Sequence, residues 1–437
     1  MKVLETRSHG RTLPPEQARS DIVAFLSAAA RALFTNGETT RRTIVGVERL
    51  GQALGVNVAV LPRWGEVMLR IDDPAAPRLE CIAATPLGVD MRKVAATHEL
   101  IDRFCHHDIG FDAAQSQLAA IRQLPPISLV RFVLLTAAGA AALGVIFGAY
   151  HWLTLVLIAL SAGAGAALRR WLAELGGNPF VQPFCAALLA GIVGALVARF
   201  QISSVLRLVA VCPCMVLVPG PHFLNGAIDL ARARIALGAC RIGYASLITL
   251  VISVGLLAGL SLGGVELPAS VPAATVPLGY DVIAAGIAVA AYGTFFAMPW
   301  RMLPIPIVIG MLAHASRWLV IVPEGGSAET GALVACFVVG VIVTPVADRL
   351  RMPFAAFAFA SVVSLIPGVY IFRMAGGLLN LITPGHVPSS DLLLGAIVDG
   401  ATALLIIVAM AFGLIVPKLC IEYFFPGLTD SEPAARQ

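Results

Sequence analysis

The feature that most constrains this chain is a series of apolar runs between Ile127 and Pro417, each close to the roughly 20 residues that a helix needs to cross a hydrocarbon core of about 30 Å. About ten can be marked, near residues 127–149, 151–168, 181–200, 205–224, 240–262, 280–298, 303–321, 331–347, 354–373 and 391–416. In hydrocarbon a backbone must satisfy its own hydrogen bonds, so these runs are expected as helices. Composition agrees: 58% of the 437 residues are hydrophobic and 13% are charged, with a mean hydropathy of +0.86. The expectation is a mainly α, polytopic membrane protein.

The runs also divide the chain. Residues 1–20 are polar, carry Pro14-Pro15, and are expected as a flexible tail. Residues 21–126 have ordinary charge density and no run of spanning length, so no signal peptide is expected to lead the chain. In "DIVAFLSAAARALFTNG" the apolar positions follow helical spacing from Asp21 to Asn36-Gly37, and a second helix is predicted from Thr40 to Leu54. The β-branched runs "VNVAVL", "EVMLRI" and "LECIAA" predict a small antiparallel sheet, followed by helices over 91–104 and 111–123. A small soluble α+β domain therefore precedes the membrane region, with Pro125-Pro126 at the boundary. Beyond it the reading is a five-helix module at 127–262, an extracytoplasmic linker at 263–279, a second five-helix module at 280–417 and a cytoplasmic tail at 418–437.

Placing both termini in the cytoplasm puts Arg122, Arg131, Arg169, Arg170, Arg232, Arg234, Arg241, Arg301, Arg349, Arg351 and Lys418 inside and leaves Arg199, Arg207, Arg317 and Arg373 outside. That bias follows the positive-inside rule and predicts a multi-pass protein of the cell (inner) membrane. The net charge of +4 is dispersed, which argues against nucleic acid as a partner. The eight cysteines lack CxxC pairing and read as small hydrophobes, and neither a metal nor another cofactor is expected. No GxxxxGK[ST] motif is present to suggest ATP as a driving force.

Two apolar runs are interrupted in the same way. "LVPGPHFLNGAIDL" from Leu217 and "LIPGVYIFRMAGGL" from Leu365 align at an offset of 148 residues, and the same offset brings the first, third and fifth runs near the sixth, eighth and tenth. An odd number of crossings per module sends the second copy into the bilayer from the other face, giving two inverted five-helix repeats with broken helices, a transporter signature. Proline removes an amide donor and clashes with the preceding turn, and glycine lets the chain bend, so Pro219-Gly220-Pro221 and Pro367-Gly368 should each stop a helix at depth. Freed backbone groups survive there only against protein or a hydrated cavity. Such a cavity suits a small zwitterion, its carboxylate at a helix amino terminus and its ammonium near carbonyls or an acid.

Candidate substrate-binding residues are therefore Pro219, Gly220, His222 and Asn225 at the first break and Pro367, Gly368, Tyr370 and Arg373 at the second. Candidates for proton coupling are His222, whose side chain titrates near neutral pH, Asp229, and Asp399 in "LLLGAIVDGATALLII". Asp281, His314 and Asp348 are further ionisable groups inside or at the edges of the runs. Glu38, Thr39, Thr40, Arg41 and Arg42 form either a ligand contact near the cytoplasmic mouth or a solvated helix start.

At these residues the chain resembles the threonine/serine exporter family. Pro219, Gly220, Asn225, Asp229, Leu230, Gly238 and Arg241 follow the pattern of its first module, and Pro353, Pro367, Gly368, Tyr370 and Arg373 that of its second. "ALFTNGETTRRTIVGVERLGQALGV" and "AAQSQLAAIRQLPP" match its amino-terminal domain. One departure is Ala231-Arg232, where the pattern has Gly-Asp. The resemblance implies secondary active export of threonine, serine or a related small polar solute by proton antiport, with protons and the lipid bilayer as the other partners; a homo-oligomer is compatible with it. A passive channel for small polar solutes is the alternative. An intramembrane hydrolase would need His222 and Ser364 to meet, and no GxSxG elbow surrounds the serine.

Overall fold

The computed structural model describes the chain apart from residues 1–6, 9–10, 13–14, 73–76, 177, 201–205, 266–275, 351–353, 383–389 and 426–437. Pro14, Arg351 and Pro353 lie outside the described residues, as do most of the 263–279 and 418–437 segments. Two compact units result: Met1–Pro126 with Asn225–Arg241 and Ala347–Ala356, and Ile127–Leu224 with Ile242–Val346 and Phe357–Gln437.

In the first unit a short antiparallel pair, β1 (Arg7–Ser8) and β2 (Arg11–Thr12), precedes α1 (Pro15–Thr35). The helix begins six residues before Asp21, in part of the segment expected as tail, because proline's fixed φ suits a first helical turn whose amide has no partner anyway. α2 (Thr40–Ala53) follows a turn at Gly37, where φ is +90° and a Cβ would stand 2.9 Å from Val89 Cγ2. Glycine is demanded there by conformation and by space. The antiparallel meander β3 (Asn57–Arg63), β4 (Gly65–Asp72) and β5 (Arg78–Ala84) pairs Val60 with Leu69 and Val67 with Ile82. Period-2 alternation sends Val58, Val60, Val67, Leu69 and Ile71 inward against Phe25, Leu26, Leu33, Phe34 and Leu50. α3 (Met91–Cys105), capped by Asp90 accepting from the Arg92 and Lys93 amides, and α4 (Phe111–Arg122) complete the domain. Phe25 meets Phe104 and Phe111 edge to face at 5.9 and 5.4 Å.

The second unit contains α5 (Leu129–Ile146), α6 (Trp152–Glu174), α7 (Val181–Arg199) and α8 (Leu206–Met215). α9 (Gly220–Ala231) and α10 (Ile235–Leu262) join the two units through the chain. α11 (Leu278–Phe295), α12 (Pro304–Ile321), α13 (Ala328–Arg349), α14 (Phe354–Val362), α15 (Gly368–Ile382) and α16 (Ser390–Phe424) follow. Among the described residues eight helices are long and apolar enough to cross a bilayer, or up to ten spans if each bent pair counts as one, so the chain is a polytopic membrane protein. α16 continues through Pro417 to Phe424, past the predicted end, and its last turns carry a Lys418–Glu422 ion pair at 2.8 Å.

The two bends fall at the two Pro-Gly sites: α8 meets α9 at 52° and α14 meets α15 at 54°. At each, the glycine amide donates to the carbonyl two residues back, Gly220 to Val218 at 2.9 Å and Gly368 to Ile366 at 2.8 Å. Pro213, by contrast, is absorbed inside α8. Glycines also set close helix crossings, Gly255 of α10 against the Phe184 carbonyl of α7 and Gly413 of α16 against the Leu333 carbonyl of α13.

Candidate functional site

The glycine that follows each break packs on the helix that precedes the other. A Cβ on Gly220 would overlap the Phe359 ring of α14, and one on Gly368 would stand 2.9 Å from Met215 Cγ at the end of α8. At the first break the Met215 carbonyl accepts from the Val218 amide at 3.3 Å and also from the Tyr292 hydroxyl of α11 at 2.9 Å.

Beside the second break lies a cavity of about 260 Å³, lined at its polar end by Asp281, Arg317, Ser364, Tyr370 and Arg373 and elsewhere by apolar side chains such as Ile146, Leu208 and Ile406. Each polar group has a distinct origin. Asp281 belongs to the first turn of α11, Arg317 and His314 sit one turn apart on α12, and Ser364 lies in the 3-10 turn Val363–Leu365 that ends α14. Tyr370 and Arg373 occupy the first turns of α15, whose amino terminus therefore opens beside the cavity.

Asp281, His314 and Ser364 form a continuous chain: Asp281 Oδ2 is 2.9 Å from His314 Nδ1, and His314 Nε2 is 2.6 Å from Ser364 Oγ. All three are buried. Arg373 ion-pairs with Asp399 of α16, Nε to Oδ2 at 3.1 Å, and its guanidinium carbon lies 6.0 Å from the centre of the Tyr370 ring. Arg317 has no ion pair or hydrogen bond among the described residues, with Asp281 and Tyr370 within electrostatic reach. The site thus presents a cation with no hydrogen bond or ion pair among the described residues, a carboxylate bonded through one oxygen to His314, and a helix amino terminus. That combination has the chemistry to take an acid and a base of one small ligand at once.

Comparison with known proteins decides the affiliation. The family model described as "Putative threonine/serine exporter" matches residues 24–263, and a second, "Threonine/Serine exporter, ThrE", matches residues 281–420. The chain belongs to the threonine/serine exporter family. A protein of Mycobacterium tuberculosis (strain ATCC 25618 / H37Rv) named "Probable threonine/serine exporter" is 23% identical over 364 residues, covering 79% of this chain and 67% of its own. No solved structure matches.

Within this exporter the sequence-predicted residues part company. Pro367, Tyr370 and Arg373 line the cavity, Gly368 packs on Met215, and Asp399 reaches the site through Arg373. Pro219, Gly220 and His222 are not among the lining residues; His222 meets Tyr244 edge to face at 5.2 Å. Ser364 pairs with His314, not with His222.

Asn225 and Asp229 belong to the first unit. Asn225 donates to the Gly37 carbonyl at 3.2 Å. Asp229 Oδ2 accepts from the Thr40 hydroxyl at 2.9 Å and lies 3.3 Å from Arg241 Nε, while Oδ1 lies 3.5 Å from Arg234. Next to Thr40, Glu38 is fully buried and joins His98 at 2.6 Å. Burial alone would raise the Glu38 carboxyl, but the His98 hydrogen bond and charge, the Arg42 charge and the Thr39 amide together hold it below its ordinary value. The "ETTRRT" segment is therefore a buried polar junction, not a solvated helix start, and Arg42 also faces Asp348 at 4.0 Å.

The ionisable groups at this cavity that sequence reasoning leaves outside its candidate site are Asp281, Arg317 and, through Asp281, His314. Asp281 and His314 are ionisable groups in apolar surroundings, which is the signal that finds them. Arg317 reads in sequence only as an outward-facing charge. Among the described residues no group of three or more His, Cys, Asp and Glu side chains is placed to hold a metal ion.

Proposed function

We propose that this family member exports threonine, serine or a related small zwitterion through the cell (inner) membrane by proton antiport, with both termini cytoplasmic. The observation that carries the reading is one small cavity at a helix break that is lined by both Arg317 and Asp281, with no hydrogen bond or ion pair to Arg317 among the described residues. Arg317 and the α15 amino terminus would take the carboxylate and Asp281 the ammonium. At about 260 Å³ the cavity falls below the roughly 300–1,000 Å³ of sites for drug-sized ligands, which favours a solute of amino-acid size.

The inverted-repeat reading is supported by paired bends of 52° and 54°, by the same glycine-to-carbonyl hydrogen bond at both breaks, and by their offset of 148 residues. The cytoplasmic placement of the termini rests on the distribution of Lys and Arg. Of the proton candidates drawn from the sequence, Asp399 is best placed, because its charge holds cavity-lining Arg373. Asp229, facing two arginines, would lose both pairings on protonation and suits a structural junction.

Uptake of labelled threonine or serine into everted vesicles tests the reading. Accumulation that an uncoupler abolishes supports antiport. Equilibration that the uncoupler leaves unchanged would make the protein a passive channel.

A further inference from the structure

Three buried groups in the second unit are joined in a line that the substrate site only half uses. Asp281 lines the cavity and gives one carboxylate oxygen to His314, which is fully buried, with no exposed edge of its own. With Asp281 ionised its carboxylate can only accept, and His314 would then carry a proton on Nδ1 and donate it there. Its Nε2 then faces Ser364 Oγ. With a neutral ring the Ser364 hydroxyl donates to Nε2; with a second proton on the ring Nε2 donates to Ser364, whose own hydrogen must turn elsewhere. Ser364 lines the cavity at the helix break, so the charge on His314 is read out as the direction of one hydroxyl at the binding site.

We propose that His314 is the residue that holds the exchanged proton, and that Asp281 enforces the exchange because imidazolium and substrate ammonium compete for the same carboxylate. This rests on the substrate reading above. In the empty site the Asp281 carboxylate is the hydrogen-bond partner of His314 Nδ1. When the ammonium of an incoming zwitterion docks on Asp281, the carboxylate charge is neutralised, the imidazolium loses its counter-ion at depth, and the Nε2 proton leaves by way of Ser364 to water in the cavity. Release of the solute restores the charge and draws a proton back. Proton and substrate thus exclude one another, which is what antiport requires and symport forbids. The other ionisable groups facing this chain are Arg317 on the same helix as His314, and Tyr370 and Arg373 on α15. Both arginines stay charged throughout, so neither duplicates the switch.

The test uses the full-length protein in vesicles of phosphatidylethanolamine and phosphatidylglycerol, measuring threonine counterflow without a gradient and threonine accumulation under a pH gradient of one unit. If one proton exchanges per solute, wild type approaches a ratio of about ten. His314→Gln is expected to lower the gradient-driven ratio to about one and to remove the pH dependence of whatever counterflow it retains. Should that variant fail to fold, Ser364→Ala, which removes one oxygen, takes its place with the same expected loss of coupling. Gradient-driven accumulation at the wild-type ratio in His314→Gln, loss of counterflow along with coupling in a monodisperse variant, or covalent capture of Ser364 by a fluorophosphonate would each overturn the relay. Absence of threonine counterflow in wild type would sink the substrate reading, and the relay with it. Wild-type counterflow beside an unaltered gradient response in His314→Gln would sink the relay alone.

Discussion

Arg373 on α15 and Asp399 on α16 form an ion pair at 3.1 Å, and only the arginine of the two lines the cavity. The carboxylate therefore restrains a cation that would otherwise compete for the solute. Asp399→Asn should release Arg373 toward the bound carboxylate, lowering the half-saturating threonine concentration and slowing maximal transport, each by about tenfold, the equivalent of 1.4 kcal/mol. Transport kinetics with both constants unchanged would show that the pair only joins two helices.

Among the described residues Arg317 makes no hydrogen bond or ion pair, with Asp281 and Tyr370 within electrostatic reach, so its replacement reports mainly on the charge it brings to the cavity. Arg317→Gln should weaken threonine binding by about 10- to 100-fold, the range expected for a hydrogen bond to a charged group worth about 1.5–3 kcal/mol. Lysine should restore part of it, lacking the planar fork. Binding can be followed by threonine protection against thermal unfolding, which should vanish in Arg317→Gln while the unliganded midpoint stays near wild type.

Gly220 leaves no room for a side chain. A Cβ there would fall within the Phe359 ring, and both residues sit on bent helix pairs whose backbone has little freedom to retreat. Gly220→Val is expected to destabilise the folded protein by about 1–3 kcal/mol or more, the range for overpacking. Phe359→Ala in the same chain should recover much of the loss. A double variant no more stable than Gly220→Val would place the strain elsewhere.

The Glu38–His98 pair gives the first unit a pH dependence of definite sign. The Glu38 carboxyl lies below its ordinary 4.5 when folded, so its contribution is fully present above about 4.5 and is lost as pH falls through the lowered folded value. The apparent melting temperature of the full-length protein should therefore drop on acidification below about 4.5, and Glu38→Gln should flatten that drop while lowering stability at neutral pH. Identical acid profiles for the two proteins would contradict the assignment.

Much of the architecture is legible in the chain because its causes are local. Apolar runs of spanning length leave a helix no alternative in hydrocarbon, and Pro219-Gly220-Pro221 and Pro367-Gly368 interrupt helices by chemistry that acts within one turn. Alternating β-branched residues announce the meander for the same reason. Boundaries are less legible where neighbouring turns compete: α1 starts at Pro15, and α16 outlasts Pro417.

The site is another matter. Tyr370 and Arg373 can be found because they follow a visible break, whereas Asp281 and Ser364 stand 33 and 50 positions from His314 and announce nothing by spacing. Asp229 looks in sequence like a membrane acid, yet Thr40, 189 positions away, claims it for the first unit. The sequence by itself determined that apolar helices of spanning length follow a short antiparallel meander and where two of them break, since hydropathy and backbone chemistry act along the chain. Only the tertiary structure decided which side chains share a cavity, because a helix hydrophobic on every side carries no mark of the direction it will face until its neighbours pack against it.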